Sequence, residues 1–440
     1  MDEKRLKIQQ KFSAFILCAI VFTVVYNYTA WLISRQKTVP SFVFDFEKYI
    51  PFLPWTIIPY MTSGLFFVLV FFLCKNREQL KVLTSRVLFV TITAGICFLL
   101  FPLKFSLVKP ETDHFLLGYS FRFLETFDSP FNQAPSLHIA YAFIFWPVLR
   151  SLKRLRIFCM LWLILLGLST LTTYQHHCID ILSGAVLAHL SFVLFPYRKN
   201  DFRYRNFQVA NFYFLFGWIT ASAALLLYKN FGSTGLLVLW PSLMSIIIGY
   251  HYQKSAANFL KDKNGSIPFL RKVFYAPYLL VYWILWRFFR KNKRPLLIVP
   301  GIYISSRPGH NNLPCFTISN HTIIYDLAAE MEEISEWKKL PDYHSVPFLD
   351  IGTPDMKRIR TLVTEITEHY TKLPEGGQII IHCTMGFTRS SIVGILVMKN
   401  ILSLPLEEAI TTMKTLNKNA VIHSYLQEFM KKLNYEQRTF

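Results

Sequence analysis

Long apolar runs separated by short polar loops fill the first two thirds of the chain, and a shorter rhythm takes over near residue 290. Runs long enough to cross a bilayer lie near residues 13–34, 55–74, 85–103, 135–150, 155–174, 178–196, 208–228 and 233–251. The fourth is short. This pattern predicts an all-α helical bundle of about eight membrane spans over residues 1–289. "VFYAPYLLVYWILW", from Val273 to Trp286, is fourteen residues long, contains Pro277 and lies between Lys272 and Arg287. It fits an interfacial helix better than a ninth span. From about 290 to 440 the pattern is that of an α/β domain. "LLIVPGIYISSRP" predicts a hairpin, "TIIYDLAAE" and "GQIIIHC" strands, and "DMKRIRTLVTEITEHYTKL" and "SSIVGILVMKNIL" helices.

Composition agrees with the pattern. At 440 residues, 52% hydrophobic and with a mean hydropathy of +0.32, the chain is too apolar for an ordinary soluble enzyme. A net charge of +20 raises nucleic acid as a partner, but the basic residues sit between the apolar runs, as in cytoplasmic loops of a polytopic protein. "KNREQLKVLTSR", "RSLKRLR" and "YRKNDFRYR" each carry four Lys or Arg and at most one acid, whereas residues 104–134 hold three basic and four acidic side chains. The charge bias therefore places the N-terminus and the C-terminal domain in the cytoplasm and loop 104–134 outside, in a plasma or inner membrane. The start, "MDEKRLKIQQK", has no cleavage site after it and reads as leading into the first span. "NKRP", from Asn292, reads as a headgroup-contacting linker, "KKLNYEQRTF" as a solvated helix end, and His310, His321 and His344 as surface loop residues. The seven cysteines show neither disulfide-framework nor zinc spacing, so no metal or cofactor is expected.

One cysteine carries chemistry. In "IIIHCTMGFTRSS", residues 379–391, a strand-like run ends at Cys383, and Arg389 follows after five residues at the start of a helix. The loop Thr384–Thr388 can aim successive N–H groups at one point, with Gly386 allowing the tight turn. The helix N-terminus favours Cys383 as a thiolate, and Arg389 can grip two phosphoryl oxygens. Asp350, thirty-three residues upstream, is the leading general acid, with Asp355 as the alternative; Ser390 can hydrogen-bond the departing sulfur. This stretch resembles the dual-specificity branch of the protein tyrosine phosphatase superfamily. The resemblance implies hydrolysis of a phosphomonoester through a phosphocysteine.

A second constellation lies at the outer ends of the fourth to sixth runs. "NQAPSLHIA" places Ser136 and His138 at a span entrance, and "STLTTYQHHCIDILSG" places His176 and Asp180 four apart, on one helical face. The carboxylate can orient the imidazole, and ionisable groups at membrane depth are functional candidates. His177 is the alternative to His176. These motifs resemble the type-2 phosphatidic acid phosphatase superfamily, with a core at about 85–196, and are most similar to its inositol-phosphoceramide-synthase and sphingomyelin-synthase branch. The resemblance implies His176 as the phosphorus nucleophile, Asp180 as its orienter, His138 as the acid and the backbone near Ser136 as a phosphate holder. Ser169-Thr170 stands where that family has Ser-Arg, so phosphate clamping falls to Lys104, Lys109 or Arg122.

The two resemblances together imply a bifunctional membrane phosphatase. An outer His site cleaves or transfers a lipid phosphate, and a cytoplasmic Cys site hydrolyses a phosphomonoester. A phospholipid, a phosphorylated headgroup or a phosphoprotein is the expected partner. The alternative is a lipid-sensing membrane domain that regulates a protein phosphatase.

Overall fold

In a computed structural model, residues 6–112, 114–291 and 293–437 are described. Met1–Arg5 of the charged start, Asn292 of the expected linker and Arg438–Phe440 at the end lie outside them. The chain divides into two compact units, residues 1–198 with 211–246, and residues 199–210 with 247–440.

The first unit is helical. Its elements are α1 (Ile8–Ser34), α2 (Ile57–Leu73), α3 (Arg77–Leu100), α4 (Phe115–Glu125), α5 (Leu137–Leu149), α6 (Arg156–Thr172) and α7 (Cys178–Leu194), followed by most of α8 (Phe202–Phe231) and half of α9 (Leu239–Gln253). α1 packs on α3, α2 on α6, and α5 on α6 and α7. On α1, Phe12, Ile16, Ile20, Val24 and Tyr28 form an apolar stripe at helical spacing that stays exposed. In water such a stripe is a liability; in hydrocarbon it is the normal outer surface of a span.

Four helical stretches among the described residues are long and apolar enough to cross a membrane: Ile8–Ser34, Pro54–Leu73, Arg77–Leu100 and Phe202–Gln253. The runs expected at 208–228 and 233–251 thus appear as one stretch, interrupted by a 3-10 segment at Gly232–Val238. The fourth to sixth runs form shorter helices of 13, 17 and 17 residues. Each is cut by a polar end: Ser136 precedes α5, Thr173 ends α6 and His177 caps α7. Loop 104–134 also contains a helix, α4, which the sequence reading left as loop. α5 and α7 meet closely, because a Cβ on Gly184 of α7 would lie 2.5 Å from the Ser136 carbonyl oxygen.

The second unit adds α10 (Phe269–Phe274) and α11 (Ala276–Phe289), then β1 (Leu296–Val299), β2 (Ile302–Ser306), β3 (Thr322–Ala328), α12 (Ser335–Lys338), β4 (Tyr343–Phe348), α13 (Met356–Thr371), β5 (Gln378–Cys383), α14 (Arg389–Ile401), α15 (Leu406–Leu416) and α16 (Ser424–Gln437). The expected hairpin, strands and helices of the α/β part are all present. The sheet order is β1-β2-β5-β3-β4, parallel except for the β1–β2 hairpin. β5 is central and buried on both faces. Ile379 and Ile381 join the core under α13 and α14, while Ile380 packs with Ile324, Phe316 and Trp337 on the other side.

This unit begins earlier than a boundary at 290. Asn206 exchanges hydrogen bonds with the Thr353 backbone, at 2.8 Å as acceptor and 3.0 Å as donor. The Tyr252 hydroxyl donates to the Asp350 carbonyl at 2.7 Å. Three expectations about histidines also divide here. His310 and His321 are exposed in connections, but His344 lies within β4, half-buried, stacked on Tyr325 with ring centroids 4.9 Å apart.

Gly184→Val would force α5 and α7 apart. Thermal unfolding in detergent should show a loss of about 1–3 kcal/mol, where an unaltered midpoint would show that the contact is not tight.

Candidate active sites

The cysteine site is built where β5 ends. The strand carries Cys383 to its C-terminal end in the middle of the sheet, and the chain must then reverse into α14 within five residues. Gly386 makes this feasible: its φ is +78°, and a Cβ there would press on the Ser306 backbone at 3.0–3.2 Å. Its N–H points at the Cys383 sulfur from 3.3 Å, and the Ser390 hydroxyl lies 3.4 Å from the same sulfur. Arg389, the first residue of α14, is buried. Nη1 donates to Glu330 Oε2 at 2.8 Å and to the Phe348 carbonyl at 3.0 Å, while Nη2 donates to Glu330 Oε1. Burial works against this charge, but Glu330 and Asp350 outweigh it and hold the guanidinium's pKa well above its ordinary value.

Asp350 lies on the loop after β4, with Oδ1 3.3 Å from Arg389 Nη2. The Tyr282 hydroxyl of α11 donates to its Oδ2 at 3.2 Å. Asp355 is occupied differently: its side chain accepts from Arg358 N at 2.9 Å and caps α13. Behind the loop, burial pushes His382 down to about 4 and Glu333 up to about 7. His382 Nε2 lies 3.1 Å from Glu333 Oε2.

The histidine site lies in the first unit. His138, in the first turn of α5, and His176, just before α7, bring their rings edge to face with centroids 5.7 Å apart. His176 Nδ1 is 3.3 Å from Asp180 Oδ2, which also accepts the His177 N–H at 2.8 Å and so caps α7. His177 turns elsewhere. Its Nδ1 meets Glu47 Oε2 at 2.8 Å and its Nε2 lies 3.3 Å from the Ser106 hydroxyl. The Ser136 N–H donates to the Asp180 carbonyl at 2.9 Å, and its Oγ is buried without a partner. Among the three expected clamps, Lys104 and Arg122 are exposed. Lys109 is half-buried near Glu125 and Asp128, and burial lowers its pKa.

Sequence reasoning missed Glu330, Tyr252 and Tyr282 around Asp350 and Arg389, and Asp128 and Glu47 around the histidines. Asp128 accepts from the Tyr26 and Tyr60 hydroxyls, and Tyr60 lies against the His138 ring at 4.4 Å. Beside these groups is a mostly apolar cavity of about 450 Å³, whose walls include Phe22, Phe67, Tyr141, Asp128, His138 and His176.

Residues 55–194 match the PAP2 superfamily. The match spans the His138, His176 and Asp180 motifs from which that resemblance was read. Several solved structures are similar to about a third of the chain. They include Tk-PTP in its active form (22% identity, covering 32% of this chain and 95% of that one, TM-score 0.28). They also include human tyrosine phosphatase-like serine/threonine/tyrosine-interacting protein (11%, 33% and 99%, 0.28) and human DUSP28 (13%, 34% and 98%, 0.27). No curated protein matches the sequence. Beyond the PAP2 region, the clamp on Arg389 gives a direct test. Glu330→Gln should lower kcat for a soluble phosphomonoester about 10–100-fold by freeing the guanidinium to wander. Tyr282→Phe should lower it about tenfold with KM unchanged. Steady-state kinetics alongside thermal melts would check both.

Proposed function

We propose that this chain is a membrane-bound phosphoric monoester hydrolase with two independent sites. The observation that carries the reading is the meeting of His138 and His176 at the wall of an apolar cavity. With a tetrahedral phosphate at the imidazoles, that cavity offers an apolar place for part of an acyl chain.

At the outer site, His176 attacks phosphorus, with Asp180 holding its Nδ1 side. The ester P–O bond breaks, and the leaving alkoxide takes a proton from His138. Water or an alcohol then attacks the phosphohistidine, releasing phosphate or a transferred phospho-headgroup. Lys109 is the basic residue best situated to meet the phosphate charge.

At the inner site, the Cys383 thiolate attacks phosphorus while the Thr384–Thr388 N–H groups and Arg389 hold the equatorial oxygens. Asp350 protonates the leaving oxygen. As carboxylate, it then takes a proton from the water that hydrolyses the phosphocysteine. The Ser390 hydroxyl stabilises the departing sulfur.

The reading includes eight spans, with the N-terminus and the cysteine site in the cytoplasm and the histidine site outside. α11 serves as an interfacial helix. Its Tyr278, Tyr282 and Trp286 face the protein, while Leu280, Val281, Trp283, Ile284 and Phe288 are exposed.

A phospholipid panel assayed with the purified protein tests both halves. His176→Ala should abolish lipid turnover, by at least ~10³-fold, and leave soluble phosphomonoester hydrolysis intact; Cys383→Ser should do the reverse. If neither substitution lowers any turnover, the two-site reading is wrong. If His176→Ala leaves lipid turnover unchanged while Cys383→Ser abolishes phosphopeptide hydrolysis, the membrane half is a sensor and not an enzyme.

A further inference from the structure

Among the described residues, two clusters of potential ligands are formed by side chains given no chemical role above. Asp326, Glu333 and His382 form a fully buried one, but a cation is already there: Lys261 Nζ lies 2.6 Å from Asp326 Oδ2, with both side chains wholly buried. The other cluster is half-exposed. His344 comes from β4, and Glu365 and His369 from α13, four residues apart on one helical face. One ligand atom from each lies within 4.8 Å of the others.

We propose that His344, Glu365 and His369 bind a zinc ion at the rim of the α/β unit. Two imidazoles and one carboxylate form a donor set that suits Zn²⁺ and not the all-oxygen preference of Ca²⁺ or Mg²⁺. The three groups converge without satisfying one another. His344 Nδ1 is 3.6 Å from Glu365 Oε1, too far for a hydrogen bond, and its Nε2 is closed from solvent without a partner. Tyr325 supplies the supporting contacts. Its hydroxyl donates to Glu365 Oε1 at 3.1 Å and lies 2.8 Å from His369 Nδ1. A hydroxyl has one proton; given to Glu365, it leaves the oxygen to accept Nδ1–H, which puts the His369 lone pair on Nε2. This is the tautomer control that metal-binding histidines usually receive. Asp342, within electrostatic reach of Tyr325 and His344, adds a second negative charge to the neighbourhood.

The position gives the ion a role. β4 leads into the loop of Asp350, and α13 leads out of it at Met356. An ion held by His344 and by Glu365 with His369 ties the entering strand to the departing helix.

The test uses the full-length protein in detergent on a Cys315→Ser, Cys383→Ser background, which removes the exposed thiol and the one at the end of β5. Zn²⁺ is titrated in competition with a chromogenic chelator, and thermal midpoints are recorded with and without Zn²⁺. One zinc equivalent should weaken by at least ~100-fold in His369→Ala and ~10-fold in Glu365→Gln, and both should lose the zinc-dependent rise in midpoint. Glu365→Gln keeps the side chain's size and its bond to Tyr325, so its zinc-free midpoint should match the parent's and separate ligand loss from misfolding. Zinc stoichiometry and affinity equal in parent and both variants, or no zinc bound by the parent, would overturn the site.

Discussion

Three buried carboxylates each hold a basic side chain in place, because a charge in low dielectric persists best beside a partner. Glu330 grips Arg389, Asp180 holds His176 and caps α7, and Glu47 takes His177. In each case the acid fixes a cationic or basic group at the edge of a helix, where its orientation matters most. The Arg389 clamp shows the logic. A long, flexible side chain is held in one rotamer by Glu330, two backbone carbonyls and Asp350, so little ordering remains to be done when an anion arrives.

The same device separates two adjacent histidines. Both imidazoles precede α7 and stand side by side in the sequence "YQHHCID". Glu47 draws the His177 ring toward Ser106, and Asp180 keeps the His176 ring facing His138. A carboxylate 130 residues away in the chain thus decides which of two neighbouring side chains faces the cavity.

Much of this architecture was legible because it is local. The 3.6-residue and two-residue periods of the α/β half, the turn at Gly386 and the four-residue spacing of His176 and Asp180 are all visible within short windows. What was not legible is long-range pairing. Glu330 sits in "AAEMEEIS" among three acids with nothing to mark which one reaches a distant arginine. Asp128 lies in "TFDSP", an ordinary outer-loop sequence, until Tyr26 and Tyr60 are folded onto it. His344 reads as a loop residue because one polar residue in a short strand carries no periodic signal. The short α5 was ambiguous for a related reason: thirteen mostly apolar residues satisfy a buried helix and a tilted span alike.

α11 has two faces with different obligations. Outward it is oily; inward its Tyr282 steadies Asp350, while Tyr252, still earlier in the chain, anchors the backbone of the same residue. A fragment trimmed at the start of β1 would keep Cys383, Arg389 and the sheet, yet leave Asp350 held by Arg389 alone, without its two tyrosines. The surroundings of that loop begin well before the first strand, at Tyr252.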